Sequence, residues 1–418
     1  TDSTPGELID AWADPSKGVW SFLGFSMQMC LILVTGHAVA ASRPVAALLH
    51  QLASLPRSSW QGVMLVAFVA GALGLLNWGL GLIAGAILAR DVGASMRARG
   101  LAVHFPLLAA AGYVGLLVWH GGLSGTAPLK VTTPAEIADT FGADAGFEPL
   151  PLTSTLFSPM NLIASGGLLL VAPLVLAMLV PPRELCEPPP PPIAVAADEE
   201  PASAKPLLPR LLEDTPIINW LLALLLVAWA WRFYFPSDGA PSGVRTLTPN
   251  AVNLTMLLAG LLLHGSPRSY LDAASESARG CTGILLQFPL YAGIRGVMEG
   301  SGLTDIMVRW LTIGATADSL PFRSFLSAAL VNLFIPSGGG QWGVQGPVLM
   351  QAGSALDVPP ERLVLSFAYG DQLTNMLQPF WALPLLAITR CKARDIVGYT
   401  ALLMLVAGGW LSLCLWLL

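Results

Sequence analysis

The chain has 418 residues, 54% of them hydrophobic and only 11% charged, with a formal net charge of −5. Soluble domains carry about 25% charged residues, so this composition excludes an ordinary soluble domain and indicates an all-α integral membrane protein. The five cysteines (Cys30, Cys186, Cys281, Cys391 and Cys414) form no CxxC and no His-paired spacing. They suggest neither a metal site nor a disulfide framework, and no nucleic-acid partner is expected.

Residues 1 to 17 read as a polar or interfacial lead-in, with no basic start of the kind a cleavable signal peptide has. A first span is expected over 18 to 41, about the ~20 residues a bilayer requires, followed by Arg43, Pro44, Pro56 and Arg57. Residues 60 to 90 form one apolar stretch interrupted at Asn77, next to Trp78, Gly79 and Gly81. That stretch is long for one span and short for two. It predicts a re-entrant hairpin with arms of ~15 residues, each rising 1.5 Å per residue to mid-membrane. Residues 104 to 125 predict a span ending in a glycine-rich patch, His120 to Pro128. Residues 129 to 158 are polar and acidic, and 159 to 180 span again. From 181 to 216 a polyproline-rich loop, with prolines 188 to 192 and then Asp198, Glu199 and Glu200, divides the chain in two.

The second half predicts spans at 217 to 234, 250 to 265 and 281 to 298, and surface helices at 268 to 280 and 303 to 318. Residues 332 to 352 then hold Pro336, Ser337, Gly338, Gly339, Gly340, Gln341 and Trp342 between two apolar arms. Each glycine costs a helix about 1 kcal/mol against alanine, so the run is expected to break the helix. Broken backbone at membrane depth survives only where it is buried in protein or lines a cavity. A second re-entrant hairpin over 321 to 352 follows, then a span over 363 to 389 broken at Thr374, Asn375 and Pro379, and a last span from 395 to 417.

Lys and Arg counts near the spans place Arg43, Arg57, Arg90, Arg97, Arg99, Arg268, Arg279, Arg390, Lys392 and Arg394 in the cytoplasm. The two hairpins then enter from opposite faces, each followed by a broken span. That is an inverted-topology repeat, a mark of secondary transporters with a midplane site. The first repeat's second half-helix is expected to be short or absent, because the chain turns polar at Lys130.

A small carboxylate only accepts hydrogen bonds, so its site requires donors. Glycine-rich tips offer backbone N–H groups, and half-helix N-termini add roughly +0.5 charge. Asn77, Ser124, Thr126, Ser337, Gln341, Thr374 and Asn375 add neutral donors, and their oxygens also suit a coupling Na⁺. Trp78 and Trp342 are candidates to close the apolar side. Asp371 is the one carboxylate expected deep in a span, a functional group by default, able to hold a cation or carry a proton. His120 lies beside the first patch, where packing competes with a proton relay. The absence of Lys and Arg from these patches favours a single carboxylate over a dicarboxylate. An intramembrane enzyme lacks any paired nucleophile and base, and no Walker A, HExxH or G-x-S-x-G motif occurs.

At PSGGGQWGVQGP (336 to 347) and GDQLTNMLQPFWALP (370 to 384) the chain resembles the short-chain fatty acid transporter (AtoE) family. NWGLGLIAGAILAR (77 to 90) and WHGGLSGTAPL (119 to 129) also fit its pattern. The resemblance implies a multi-pass protein of the bacterial inner membrane, with no cofactor, that takes up monocarboxylates such as butyrate or acetoacetate with Na⁺ or H⁺. It implies an elevator-type carrier: a transport domain at 60–128 and 321–389 moving against a scaffold at 1–59, 129–180 and 217–320, a linker at 181–216, and a last span at 390–418. The scaffold of such carriers often forms a homodimer. Binding would fall at Asn77, Ser124, Thr126, residues 337 to 341, Thr374 and Asn375.

Overall fold

The computed structural model describes residues 3–142, 147–190, 207–237 and 242–418. All regular structure among them is helical, and seven helices are long and apolar enough to cross a membrane. Helical hydrogen bonding within the segment is what a lipid environment demands, because no water is present there to satisfy the backbone.

The spans expected at 217 to 234, 250 to 265 and 395 to 417 form helices Ile217–Tyr234, Pro249–Leu263 and Ala393–Leu417. Several helices were not expected from the sequence, Leu207–Glu213 in the linker among them. Arg43–Ala53 starts on Pro44, whose fixed φ suits the first helical turn. Pro134–Phe141 lies in the acidic stretch and is capped by Thr133. The lead-in forms helix Pro5–Ala13, capped by Thr4. It packs on Cys281–Gly300, where the Trp12 indole sits over Gly293. The helix expected over 303 to 318 ends at Thr312.

The first hairpin consists of Ser59–Leu76 and Trp78–Ala98, parted at Asn77. Its arms run antiparallel, with Gly81 on the Gly74 backbone and Gly62 facing Val92 and Met96. At 18 and 21 residues both arms exceed the expected ~15, and each is long enough to cross. The second arm passes straight through Arg90 and Asp91, which pair at 2.9 Å, because Val92, Gly93 and Met96 continue the buried face. Charge on an exposed face does not end a helix.

The second hairpin pairs Leu320–Asn332 with Gly338–Ala355. Here the expectation that three glycines break the helix is overturned: they form its first turn. The first four N–H groups of a helix have no intrahelical acceptor in any case, and Ser337 caps the turn. Each glycine also makes room for a wall. A Cβ would meet the Trp119 ring at 2.7 Å from Gly338, the Phe25 ring from Gly339, and the Tyr291 ring at 2.7 Å from Gly340.

Leu23–Ala41 packs on the first hairpin's second arm, and on its other side against 249–300. The proline run also differs from the expected unpacked loop. Pro189 is buried, its carbonyl accepts from Arg97 Nη1 at 3.0 Å, and the Glu187 carbonyl accepts from the Phe105 N–H at 2.8 Å. Residues 191–206 of the linker, with Asp198 to Glu200, lie outside the described residues.

Candidate functional site

The two hairpin tips share one capping pattern. Asn77 Oδ1 accepts from the Leu80 N–H at 2.9 Å, and its carbonyl from the Gly81 N–H at 2.9 Å. Ser337 Oγ accepts from the Gly340 N–H at 3.1 Å, and its carbonyl from the Gln341 N–H at 2.7 Å. In each case an extended residue bonds the amides three and four positions on, so a helix starts inside the protein with its positive end fixed. The tips differ one residue later. The Trp78 N–H donates to Ser124 Oγ at 3.0 Å, whereas the Gly338 and Gly339 amides have no acceptor among the described residues.

Each following segment is interrupted opposite these tips. The first runs from Phe105 to Leu129, almost wholly buried, through a tight turn at Trp119–Gly121 and a single helical turn, Thr126–Leu129. The expected short second half-helix is therefore four residues. The second comprises Pro360–Thr374, a turn at Asn375–Leu377, and Pro379–Thr389.

Tips and breaks meet at one cavity. Trp78 comes from the first hairpin and Ser337, Gly338 and Gly339 from the second. Leu116 and Trp119 come from the first interrupted segment, Asn375 and Trp381 from the second. Its volume of about 20 Å³ is little more than one water occupies, so the walls are closed on one another. Trp78 lies edge to face with Trp119, centroids 6.3 Å apart, and with Trp381, 5.3 Å apart.

Beside the cavity, and 0% exposed, His120 and Asp371 join the two interrupted segments. His120 Nδ1 lies 2.6 Å from Asp371 Oδ2, and the Ala127 N–H donates to His120 Nε2 at 3.0 Å. That second bond assigns the tautomer: Nε2 accepts, so Nδ1 carries the proton and donates to the carboxylate. Asp371 Oδ1 is buried and has no hydrogen-bond partner among the described residues. The imidazole stacks on Trp119 at 4.4 Å and meets Phe367 edge-on. His120 is therefore both packed and hydrogen-bonded at each ring nitrogen.

The other predicted residues divide. Ser124 holds the first tip, and Thr126 touches Met29 Sδ at 3.8 Å. Thr374 Oγ1 donates to the Ala329 carbonyl at 3.0 Å, and Asn375 Nδ2 to the Leu116 carbonyl at 3.3 Å. Of the predicted residues, Trp78, Ser337, Gly338, Gly339 and Asn375 line the cavity, whereas Asn77, Ser124, Thr126, Gly340, Thr374, Gln341 and Trp342 do not. Gln341 Nε2 ties the second hairpin's arms together through the Ala328 carbonyl at 2.8 Å, and Trp342 packs on Phe141 and Phe367.

Several residues escaped the sequence reading. Asn332 Nδ2 donates to the Asp371 carbonyl (2.6 Å), Thr374 Oγ1 (3.0 Å) and Asn375 Oδ1 (3.1 Å), knitting the second break to the second hairpin. Gln378 Nε2 donates to the Asn332 carbonyl at 2.6 Å. Trp119 lines the cavity, and its buried Nε1 has no acceptor among the described residues. Lys130, 2% exposed, pairs with Glu136 at 2.6 Å and Asp139 at 2.7 Å over the Phe25 ring. Buried amides in an apolar run could have flagged Asn332 and Gln378; Trp119 opens the quoted 119–129 motif, but nothing there marks its indole as a cavity wall.

Seven long apolar helices and a buried polar centre between helix interruptions define a multi-pass helical membrane transporter. The pattern of the short chain fatty acid transporter family matches residues 1–418. A protein of Escherichia coli K12 named for short-chain fatty acid transport is 40% identical over 410 residues, covering 98% of this chain and 89% of its own length. A Haemophilus influenzae protein named for the same activity is 36% identical over 404 residues, covering 96% and 87%. The chain belongs to the short-chain fatty acid transporter family. Among solved structures, the Alcanivorax borkumensis YdaH transporter aligns with a TM-score of 0.57 at 20% identity, covering 94% of this chain and 85% of that one. At that identity the likeness concerns the fold.

Proposed function

We propose that the protein is a proton-coupled carrier of short monocarboxylates such as butyrate, working by alternating access. In this reading the two hairpins are re-entrant, enter from opposite faces and move together against the remaining spans as an elevator. The observation that carries it is the meeting of both tips and both interruptions at one closed cavity. That cavity is lined by neutral groups and adjoins a buried histidine–carboxylate pair. The unpaired Gly338 and Gly339 amides, at a helix N-terminus, suit a carboxylate, and Trp119 Nε1–H is a third donor. Trp78, Trp119 and Trp381 suit a short acyl chain.

The pair supports H⁺ over Na⁺. With Nε2 accepting from Ala127, an incoming proton goes to the bare Oδ1 of Asp371. A charge at that depth costs about 2.5–3.5 kcal/mol even on the milder scales, and protonation removes it. Na⁺ favours oxygen ligands, whereas one side of this carboxylate is occupied by an imidazole N–H.

Uptake of labelled butyrate into proteoliposomes under imposed proton or Na⁺ gradients tests this. Accumulation driven by an inward proton gradient and abolished by a protonophore is expected. Accumulation that follows Na⁺ alone would replace the proton, and none under either gradient would refute symport.

A further inference from the structure

The closed cavity has a larger neighbour. Trp78 and Trp381 wall the cavity on one side and also line a cleft of about 460 Å³. Their rings meet at 73°, and Trp381 Nε1 donates to the Pro336 carbonyl at 2.8 Å, which ties this partition to the second hairpin's tip. One side of the two indoles has room for about one water. The other has the ~300–1,000 Å³ of a small-molecule site.

The cleft has two kinds of wall. Leu33, Leu82, Ile83, Leu383 and Ile388 make it apolar, and Glu276, Arg279 and His37 supply its charge-bearing groups. His37 Nε2 faces Glu276 at 3.7 Å. Arg279 is exposed, caps the C-terminal end of helix Pro267–Ala278, and forms no ion pair among the described residues. A guanidinium keeps its charge at any working pH and binds a carboxylate through two parallel N–H groups.

We infer that this cleft is a second, access site for the same short monocarboxylate, with its carboxylate on Arg279 and its acyl chain on the Leu33–Leu383 wall. The Trp78–Trp381 partition separates it from the central cavity. The inference rests on the proposed transport function. An anion with one charged end and a short apolar tail matches a cleft with one unpaired cation and an apolar wall. The central cavity offers neutral donors only, so the two sites differ in chemistry and can be separated by experiment. An anion passing between the two sites exchanges a fixed cation for neutral donors beside Asp371.

The test uses Leu383→Cys in the full chain, reconstituted, with labelling by a membrane-impermeant thiol reagent measured above the level of the protein lacking Cys at 383. Butyrate is expected to protect the introduced thiol in a saturable way, and butyramide, its neutral isostere, is not. Adding Arg279→Gln should raise the half-protecting butyrate concentration at least tenfold, with Arg279→Lys intermediate. Thermal melting in detergent confirms that each variant is folded. Transport without protection, protection unchanged by Arg279→Gln, or equal protection by butyramide, as a cleft filled by lipid chains would give, overturns the access site while leaving the function intact. No transport of any two- to six-carbon monocarboxylate by the same vesicles refutes the function, and the access site with it.

Discussion

At the scale of single residues, His120 carries most of the argument. Sequence alone gives a histidine near a helix end, and its partner lies 251 positions away. The backbone N–H on the far nitrogen then decides where the ring's proton sits. Asp371→Asn keeps the size and an acceptor for the imidazole N–H but cannot take a proton. We expect it to abolish uphill accumulation while retaining butyrate–butyrate exchange, measured by counterflow. Retained uphill transport would remove the proton from Asp371. Trp119→Phe keeps an aromatic ring in this wall and deletes the unpartnered donor together with part of the indole. If that donor meets the carboxylate, the KM for butyrate should rise by roughly tenfold, as loss of a hydrogen bond worth about 1–1.5 kcal/mol gives. An unchanged KM would leave Trp119 as packing. Asp371 was legible as one carboxylate in an apolar run; Asn332 and Trp119 were not, because their roles depend on which helices face them.

At the scale of elements, hydrophobic runs fixed most spans to within a few residues, and the breaks at Asn77, Ser337 and Asn375 fall where polar or glycine-rich residues interrupt those runs. Where the reading failed, propensity was applied without position. Glycines 338 to 340 are poor in a helix interior, but in a first turn capped by Ser337 they cost little and admit three aromatic walls. The apolar stretch stops at residue 90, yet the helix continues to Ala98, because Val92, Gly93 and Met96 keep its buried face intact past Arg90 and Asp91. Two variants distinguish cap from packing. Ser337→Ala removes one cap bond, for a cost of about 1 kcal/mol, and should lower the melting temperature slightly while raising the KM. Gly339→Ala drives a methyl into the Phe25 ring and should eliminate uptake, and Phe25→Ala in the same chain should restore part of it. No rescue would mean that Gly339 is needed for something other than that contact.

At the scale of the whole molecule, the central cavity lies in a series of spaces. On one side are the Trp78–Trp381 partition and the large cleft. On another, Gly339 is shared with a second small space, also about 20 Å³, that touches Phe25, Lys130 and Asp139. There the Lys130 ammonium lies between Glu136 and Asp139, a buried ion pair held by a partly exposed one. Breaking a buried pair costs more than forming it gains, because one charge is left uncompensated. A carrier that alternates must hold one end shut while the other is open. Loosening the Lys130 end should therefore shift the population away from the conformer in which the cleft is open. Glu136→Gln leaves Asp139 on Lys130 and weakens the seal without stranding it. In the Leu383→Cys background it should slow thiol labelling in the cleft and speed butyrate exchange, with no leak of protons in the absence of substrate. Unchanged labelling together with a substrate-independent leak would mean that the two ends open independently, which is the behaviour of a pore and is incompatible with a carrier.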